Sequence, residues 1–376
     1  MHLPSLALAF ASLLCLGLLD NARGPLFPDL LRDLRLTDAE GGWFFAAASA
    51  AGGTASLLGR AAVARLGLLG ALRLGLALST SGIAALGLTR GLGGLVGGAA
   101  VFGLGIGLQS VAQGVLVDRG TPPGLKRRVF AGLHSMYGLA SLFAPLLVAG
   151  LARAEVGWRA AFPLLAAFPL ALLTLSALAP RPPASAAAAQ VGAPPPRGDR
   201  GAHAWVGLVT ACYCASELLI STRLVLHLRR LGWAQDEASG ALSLFFLALL
   251  AGRVAFGILP ARGATGPLLA ASLVASLGAW ALGLWVHPML LCLCGLTMAP
   301  FFPTAMALVS EAFPREVDAA LGVVYAFVSF GIVLMHWGVG ALSDAAGLGR
   351  ALLVGPGALV VALALVAWAP WARRGA

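Results

Sequence analysis

Charge is scarce in this chain. Asp, Glu, Lys and Arg make up 11% of its 376 residues and hydrophobic residues 59%, whereas a soluble globule carries roughly 25% charged residues. That excludes an ordinary soluble fold, and a mean hydropathy of +0.90 marks a polytopic membrane protein. Strand-like alternation is absent, while apolar runs reach about 20 residues, the length that spans a hydrocarbon core as helix. The spans are therefore helices and not a barrel. There is no G-x-x-x-x-G-K-[ST] loop, which argues against an ATP-driven pump, and no Ser/His/Asp or Cys/His grouping in a polar setting, so the chain is not expected to be an enzyme. No basic patch is interleaved with aromatics, so nucleic acid is not an expected partner despite a net charge of +10. The five cysteines, at 15, 212, 214, 292 and 294, all lie in apolar runs. Neighbours two apart point about 200° apart on a helix and cannot clamp a metal on one face; no metal or cofactor is expected. The apolar N-terminus lacks a basic leader region and reads as an uncleaved first span. A single lysine, Lys126, beside abundant Arg and Ala suggests GC-rich coding and hence a bacterial inner membrane.

What is present is a series of about twelve apolar spans, at 4–27, 42–62, 67–89, 92–117, 129–152, 158–178, 204–227, 238–260, 267–286, 288–311, 318–342 and 349–370. Residues 180–203, PRPPASAAAAQVGAPPPRGDRGAH, replace bulky apolar side chains with Pro, Ala and Arg and read as a linker. The expected organisation is all-α: a six-helix bundle at 1–179, the linker, and a second six-helix bundle at 204–376. With 49 glycines, close helix packing through small faces is expected. Lys and Arg concentrate in alternate loops, among them Arg60, Arg65, Arg119, Lys126, Arg127 and Arg128, so both termini and the linker are expected on the cytoplasmic side.

One stretch breaks the apolar pattern. CLGLLDNARGPLFPDLLRDLRL, 15–36, carries Asp20 and Arg23 within an otherwise apolar helix, and charge inside a span usually marks a cavity or a pathway. Shifted by 197 positions, Leu31-Arg32-Asp33-Leu34 aligns with Leu228-Arg229-Arg230-Leu231, and Asp20 falls on Glu217. Each half thus places one carboxylate at a matching depth in its first helix.

Several local patterns now bear on kinship. GRAAVARLGLL at 59–69 contains Arg65-Leu66-Gly67; GILPARGA at 257–264 keeps Gly257 and Arg262; GALSDAAG at 340–347 keeps Asp344; and YGLASLFAPLLVAGL in the fifth span carries Gly138 and Pro145. With the six-plus-six layout, these resemble the loop motif G-x-x-x-D-R-x-G-R-R and the fifth-helix Gly-Pro pattern of the major facilitator superfamily. Ala64 and Ala261 stand where the motif has Asp, which weakens the inner latch that this acid forms in the family. Within the superfamily GLGIGLQSVAQGVLV (103–117), GLHSMYGLASLFAP (132–145) and the 295–327 stretch are similar to fucose-permease-like sugar symporters. In that branch an acid in the first helix accepts the coupled proton, and Asp20 matches its position. Gln113 stands where Asn is usual, and the branch's second acid, in the fourth helix, has no counterpart.

Asp20 and Arg23 lie three apart, within reach of each other: either a self-neutralised pair that makes the helix tolerable in lipid, or a working proton site with Asn21 and a helix break at Gly24-Pro25 beside it. Glu217 and Arg223 are six apart and cannot meet; Arg23 for Glu217 and Asp20 for Arg223 are the candidate partners across the two halves, unless Arg223 snorkels outward. Further candidate substrate contacts are Gln109 and Gln113, one turn apart, His134 and Tyr137 at i, i+3, and His336-Trp337. Each also reads as ordinary helix packing. Candidate gate residues are Arg65, Gly67, Arg262, Asp344, and Phe301-Phe302, whose flanking Pro300 and Pro303 must break the helix. GLGIG at 103–107 is not a dinucleotide fingerprint, since no strand precedes it. The reading is a proton-coupled secondary active transporter of a small polar solute, a sugar or organic anion, acting by alternating access as a monomer in membrane lipid. The alternatives are proton-driven efflux of amphipathic compounds or lipids, and a non-transporting receptor or scaffold on a transporter fold.

Overall fold

The computed structural model describes residues 1–122, 125–179, 200–258, 265–313 and 317–368. The described residues are nearly all helical. In order, the helices are α1 (Leu3–Leu34), α2 (Asp38–Leu66), α3 (Leu68–Leu88), α4 (Leu92–Gly120), α5 (Lys126–Arg153), α6 (Trp158–Ala177), α7 (Arg200–Arg230), α8 (Gln235–Ile258), α9 (Thr265–Trp285), a 3-10 turn at Pro288–Cys292 leading into α10 (Leu293–Met298), α11 (Phe301–Ala312), α12 (Val317–Ala346), α13 (Leu348–Ala351) and α14 (Val354–Ala367). Among the described residues, eleven spans are long and apolar enough to cross a membrane. The second helix, Asp38–Leu66, has the length, but Gly, Ser and Thr dilute its hydropathy; it completes the expected twelve by its place in the order. The chain divides into two compact units, Met1–Gly192 and Ala193–Ala376. Most of the expected linker, 180–199, lies outside the described residues, and its last residues already belong to α7.

Two departures from the sequence reading concern proline. The expected break at Gly24-Pro25 does not occur: α1 runs unbroken to Leu34 with Pro25 and Pro28 inside it. Residues Ala22 to Pro28 are all buried, and inside a bundle neighbouring helices hold a proline-containing helix together. The expected break in the tenth span does occur, between α10 and α11 at Ala299-Pro300. The backbone carbonyls released there are taken up by side chains: Ser272 Oγ donates to Thr297 O at 2.7 Å and the Tyr213 hydroxyl to Met298 O at 3.0 Å.

The 197-residue echo is a repeated corner. α1 ends with Arg35 in the left-handed region (φ 53) and α7 with Gly232 (φ 91), positions that coincide under that shift. The hydrogen bonds coincide as well. Arg35 N–H donates to Arg32 O and Leu36 N–H to Leu31 O; Gly232 N–H donates to Arg229 O and Trp233 N–H to Leu228 O. This is the reciprocal bonding that satisfies the last carbonyls of a helix. The next helix then starts alike in both halves, with Thr37 N–H donating to Glu40 Oε2 at 2.9 Å and Ala234 N–H to Glu237 Oε2 at 3.0 Å. The helix pairings also recur. α1 packs on α5 and α6, α2 and α3 on α4, and α3 on α6; in the second unit α7 packs on α12 and α14, α8 and α9 on α10, and α9 on α14.

The glycines of GLGIG serve helix approach. A Cβ on Gly103 would lie 2.1 Å from the Ala48 carbonyl oxygen, and one on Gly107 2.2 Å from that of Gly52. α2 and α4 therefore touch backbone to backbone, as small-residue stripes permit.

Candidate functional site

In the first unit the site is assembled on α1 and α5. Gly17 admits α5 so closely that a Cβ on it would lie 2.9 Å from Ala140 Cβ and 3.2 Å from Tyr137 Cα. Tyr137 consequently lies against α1, and its hydroxyl donates to Asp20 Oδ2 at 2.6 Å. Arg23, one turn further along α1, pairs with Asp20 Oδ1. Its guanidinium is buried with its carbon 5.1, 5.3 and 5.5 Å from the ring centroids of Phe102, Phe45 and Phe44, an arrangement in which the negative faces of the rings offset the cation. Asn21 donates through Nδ2 to Gly17 O at 2.8 Å and to Ser141 Oγ at 3.0 Å, a second tie between α1 and α5. Asp20 keeps 22% of its side chain exposed, so the carboxylate is reachable while its base is sealed.

The second unit builds a similar group from different positions. Glu217 on α7 accepts from the hydroxyl of Tyr213, one turn earlier on the same helix, and stands 3.5 Å from Arg253 of α8. The Tyr213 ring stacks on Phe301 at 4.2 Å. Its hydroxyl lies within reach of Glu217 and of Met298 O, and a phenol has one proton to give. Tyr213→Phe keeps the stacking and removes the one donor that Glu217 and the buried Met298 carbonyl share. The expected result is a loss of about 1–3 kcal/mol, measured as a lower Tm in detergent; an unchanged Tm would show that Met298 does not depend on this hydroxyl.

Sequence reasoning pairs the acids with bases across the two halves. The structure gives each acid a base inside its own unit, because the i, i+3 contact serves Asp20 and α8 brings Arg253 to Glu217. Tyr213 and Arg253 join the site only in the fold. Tyr213 was legible as the i−4 neighbour of Glu217, and Arg253 as a lone charge in the apolar run SLFFLALLAGRVAFGI.

The remaining candidates separate. Gln109 is buried; it accepts from Ser12 Oγ at 3.1 Å and donates to Ser79 Oγ at 2.6 Å and to Gly75 and Gly105 carbonyls at 3.2 Å each. Gln113 donates to Ser12 Oγ at 2.8 Å. Both amides are thus engaged in holding α1, α3 and α4 together. His134 is exposed on α5. Arg223 is 2% exposed, so it does not snorkel out; Nη1 reaches Thr222 O at 3.5 Å. His336 is buried and Trp337 exposed. Arg65 and Asp344 are exposed, and Gly67 makes the turn between α2 and α3 at φ 72. Phe301 is buried and Phe302 partly so. Arg262 lies outside the described residues.

The sequence fits the family model of the Major Facilitator Superfamily over residues 9–334 and again over 206–376. The chain belongs to this superfamily. Its members are transporters rather than enzymes, and the chain is accordingly a multi-pass integral membrane protein. No curated protein matches it significantly in sequence. Among superfamily structures, a D-xylose-proton symporter is similar with a TM-score of 0.81 at 16% identity, over 97% of each chain. The nucleoside transporter NupG is similar with a TM-score of 0.80 at 15% identity, over 97% of this chain and 99% of that one. The fucose:proton symporter FucP of E. coli is similar with a TM-score of 0.63 at 16% identity, over 96% and 98%. At such identities these likenesses are of fold.

Proposed function

We propose that this superfamily member is a secondary active transporter that couples proton movement to a small polar solute, a sugar or an organic anion, by alternating access of its two six-helix halves. Asp20 carries the proposal. It is a reachable carboxylate inside a span whose ionised form is balanced by Arg23 and hydrogen-bonded by Tyr137. Protonation removes the negative charge from both contacts at once. Because Tyr137 belongs to α5, the charge state of Asp20 acts on the packing of α1 against α5, which links proton occupancy to helix movement. Glu217, with Tyr213 and Arg253, is the second acid of the scheme. The symporters among the structural relatives and the resemblance of Asp20 to the proton-accepting acid of the fucose-permease branch support the same reading. Gln109 and Gln113 serve helix packing in this scheme, while Asn21, His134 and Arg223 remain candidate solute contacts. Arginine placement puts the termini and the 180–203 linker on the cytoplasmic side, and the working form is a monomer.

The test is uptake by proteoliposomes under an inward proton gradient, using solutes selected from sugars, nucleosides, organic anions and amphipathic cations by thermal shift at two pH values. Asp20→Asn should abolish accumulation against a gradient and retain counterflow exchange. Accumulation by Asp20→Asn equal to wild type would remove Asp20 from coupling. If no solute class binds or exchanges, the scaffold reading replaces this one, and outward pumping of amphipathic cations would select the efflux reading.

A further inference from the structure

The two acids are held differently. Asp20 is in direct contact with a base that is sealed beneath three phenylalanine rings. Glu217 and Arg253 stand 3.5 Å apart, with side chains 21% and 34% exposed. Arg253 Nε is buried and meets no acceptor among the described residues, as is also true of Arg23 Nη1, but of the two side chains only that of Arg253 is a third exposed. A guanidinium offers five donors in a planar fork, and the long ion pair with Glu217 and the contact with the Tyr213 hydroxyl leave part of that capacity unused.

We propose that Arg253 is the docking point for the carboxylate of the transported solute, and that Glu217 is the resident counter-ion the solute displaces. This rests on the transporter reading above and narrows its solute to an organic anion. A carboxylate matches the arginine fork in a bidentate way that a sugar hydroxyl does not. A neutral solute would also leave Arg253 uncompensated once Glu217 moves off, whereas an anion replaces the lost charge. Tyr213 accommodates the exchange: when Glu217 leaves, the one hydroxyl proton turns to the Met298 carbonyl, 3.0 Å away. The site is thus a loosely held internal ion pair with an alternative acceptor waiting for the released phenol.

The experiment is a thermal-shift titration of the full chain in detergent with benzoate, lactate and succinate, against benzamide, lactamide, xylose and uridine, with chloride added to equal ionic strength. At least one carboxylate should raise the Tm of wild type while its amide does not. Arg253→Gln should bind that carboxylate about ten- to hundredfold more weakly. Arg253→Lys, which keeps the charge and loses the fork, should fall between, and Glu217→Gln, which removes the internal competitor, should bind more tightly than wild type. The proposal is overturned if no carboxylate stabilises wild type, if only neutral solutes do, or if the Arg253 variants bind carboxylate as wild type does. Should Arg253→Gln fail to fold, Arg253→Lys and Glu217→Gln decide, and wild-type affinity in both overturns it. Proteoliposome counterflow separates this from the transporter reading. Exchange of a neutral solute alone keeps the transporter and removes the anion; Arg253-dependent carboxylate binding with no exchange of any solute keeps the anion site and removes the transporter.

Discussion

Arg23→Met is expected to destabilise the protein by about 1–3 kcal/mol, the cost of leaving a largely desolvated carboxylate, 22% exposed, without its charged donor. Asp20 would retain the Tyr137 hydroxyl, 2.6 Å away, but one neutral donor does not balance a full charge in a low-dielectric interior. Asp20→Asn should cost less on its own. Arg23 then keeps the faces of Phe44, Phe45 and Phe102 and the backbone carbonyl of Asp20, which its Nε reaches at 3.4 Å. The double variant should recover most of the Arg23→Met loss, since no charge is then left without a partner. A double-mutant cycle measured by thermal and denaturant unfolding in detergent checks this. Strict additivity of the two single changes would show that the pair is not coupled, and would also weaken the case for Asp20 as a charge-sensitive switch.

Gly103→Val is expected to have an effect of similar size by steric means. Even the Cβ common to all other residues would lie 2.1 Å from the Ala48 carbonyl oxygen and 2.8 Å from Ala48 Cα. These neighbours are backbone atoms of α2 and cannot rotate aside, so the helices must separate and lose their shared packing. Overpacking typically costs about 1–3 kcal/mol and occasionally more; valine, branched at this position, belongs at the upper end and should lower both Tm and the folded yield. Gly97 and Gly114 on the same helix provide the control, because a Cβ at either meets nothing within 4 Å. Alanine there should be neutral or stabilising by up to about 1 kcal/mol, since it reduces unfolded-chain freedom and favours helix. If Gly103→Val were tolerated as well as Gly97→Ala, backbone contact between α2 and α4 would not be a determinant of this bundle.

These two positions show how unevenly the site was legible. Asp20 and Arg23 stood out because charge is rare in the apolar runs and three-residue spacing puts side chains together on a helix. Glu217 was found by a repeat whose structural basis is the corner shared by Arg35 and Gly232. The same spacing rule would have yielded Tyr213. It could not yield Tyr137 as the partner of Asp20, since that contact depends on how closely α5 approaches Gly17, nor Arg253 as a base beside Glu217, which depends on how α8 packs against α7. The glutamines illustrate the opposite case. Their one-turn spacing suits solute recognition equally well, and only the positions of Ser12, Gly75 and Ser79 on neighbouring helices commit them to packing.

Composition and periodicity by themselves determined that the chain crosses a membrane as helices, where most helices start and stop, and that its halves repeat. Those properties follow from local physics: the cost of charge in hydrocarbon, the length of a span, and the capping chemistry of a turn. Tertiary structure decided that α1 continues through Pro25 and Pro28, that the tenth span breaks with its carbonyls bonded by Ser272 and Tyr213, and which arginine serves which acid. Each of these is a balance between a local preference and contacts from helices distant in sequence, and only the packed fold places those contacts.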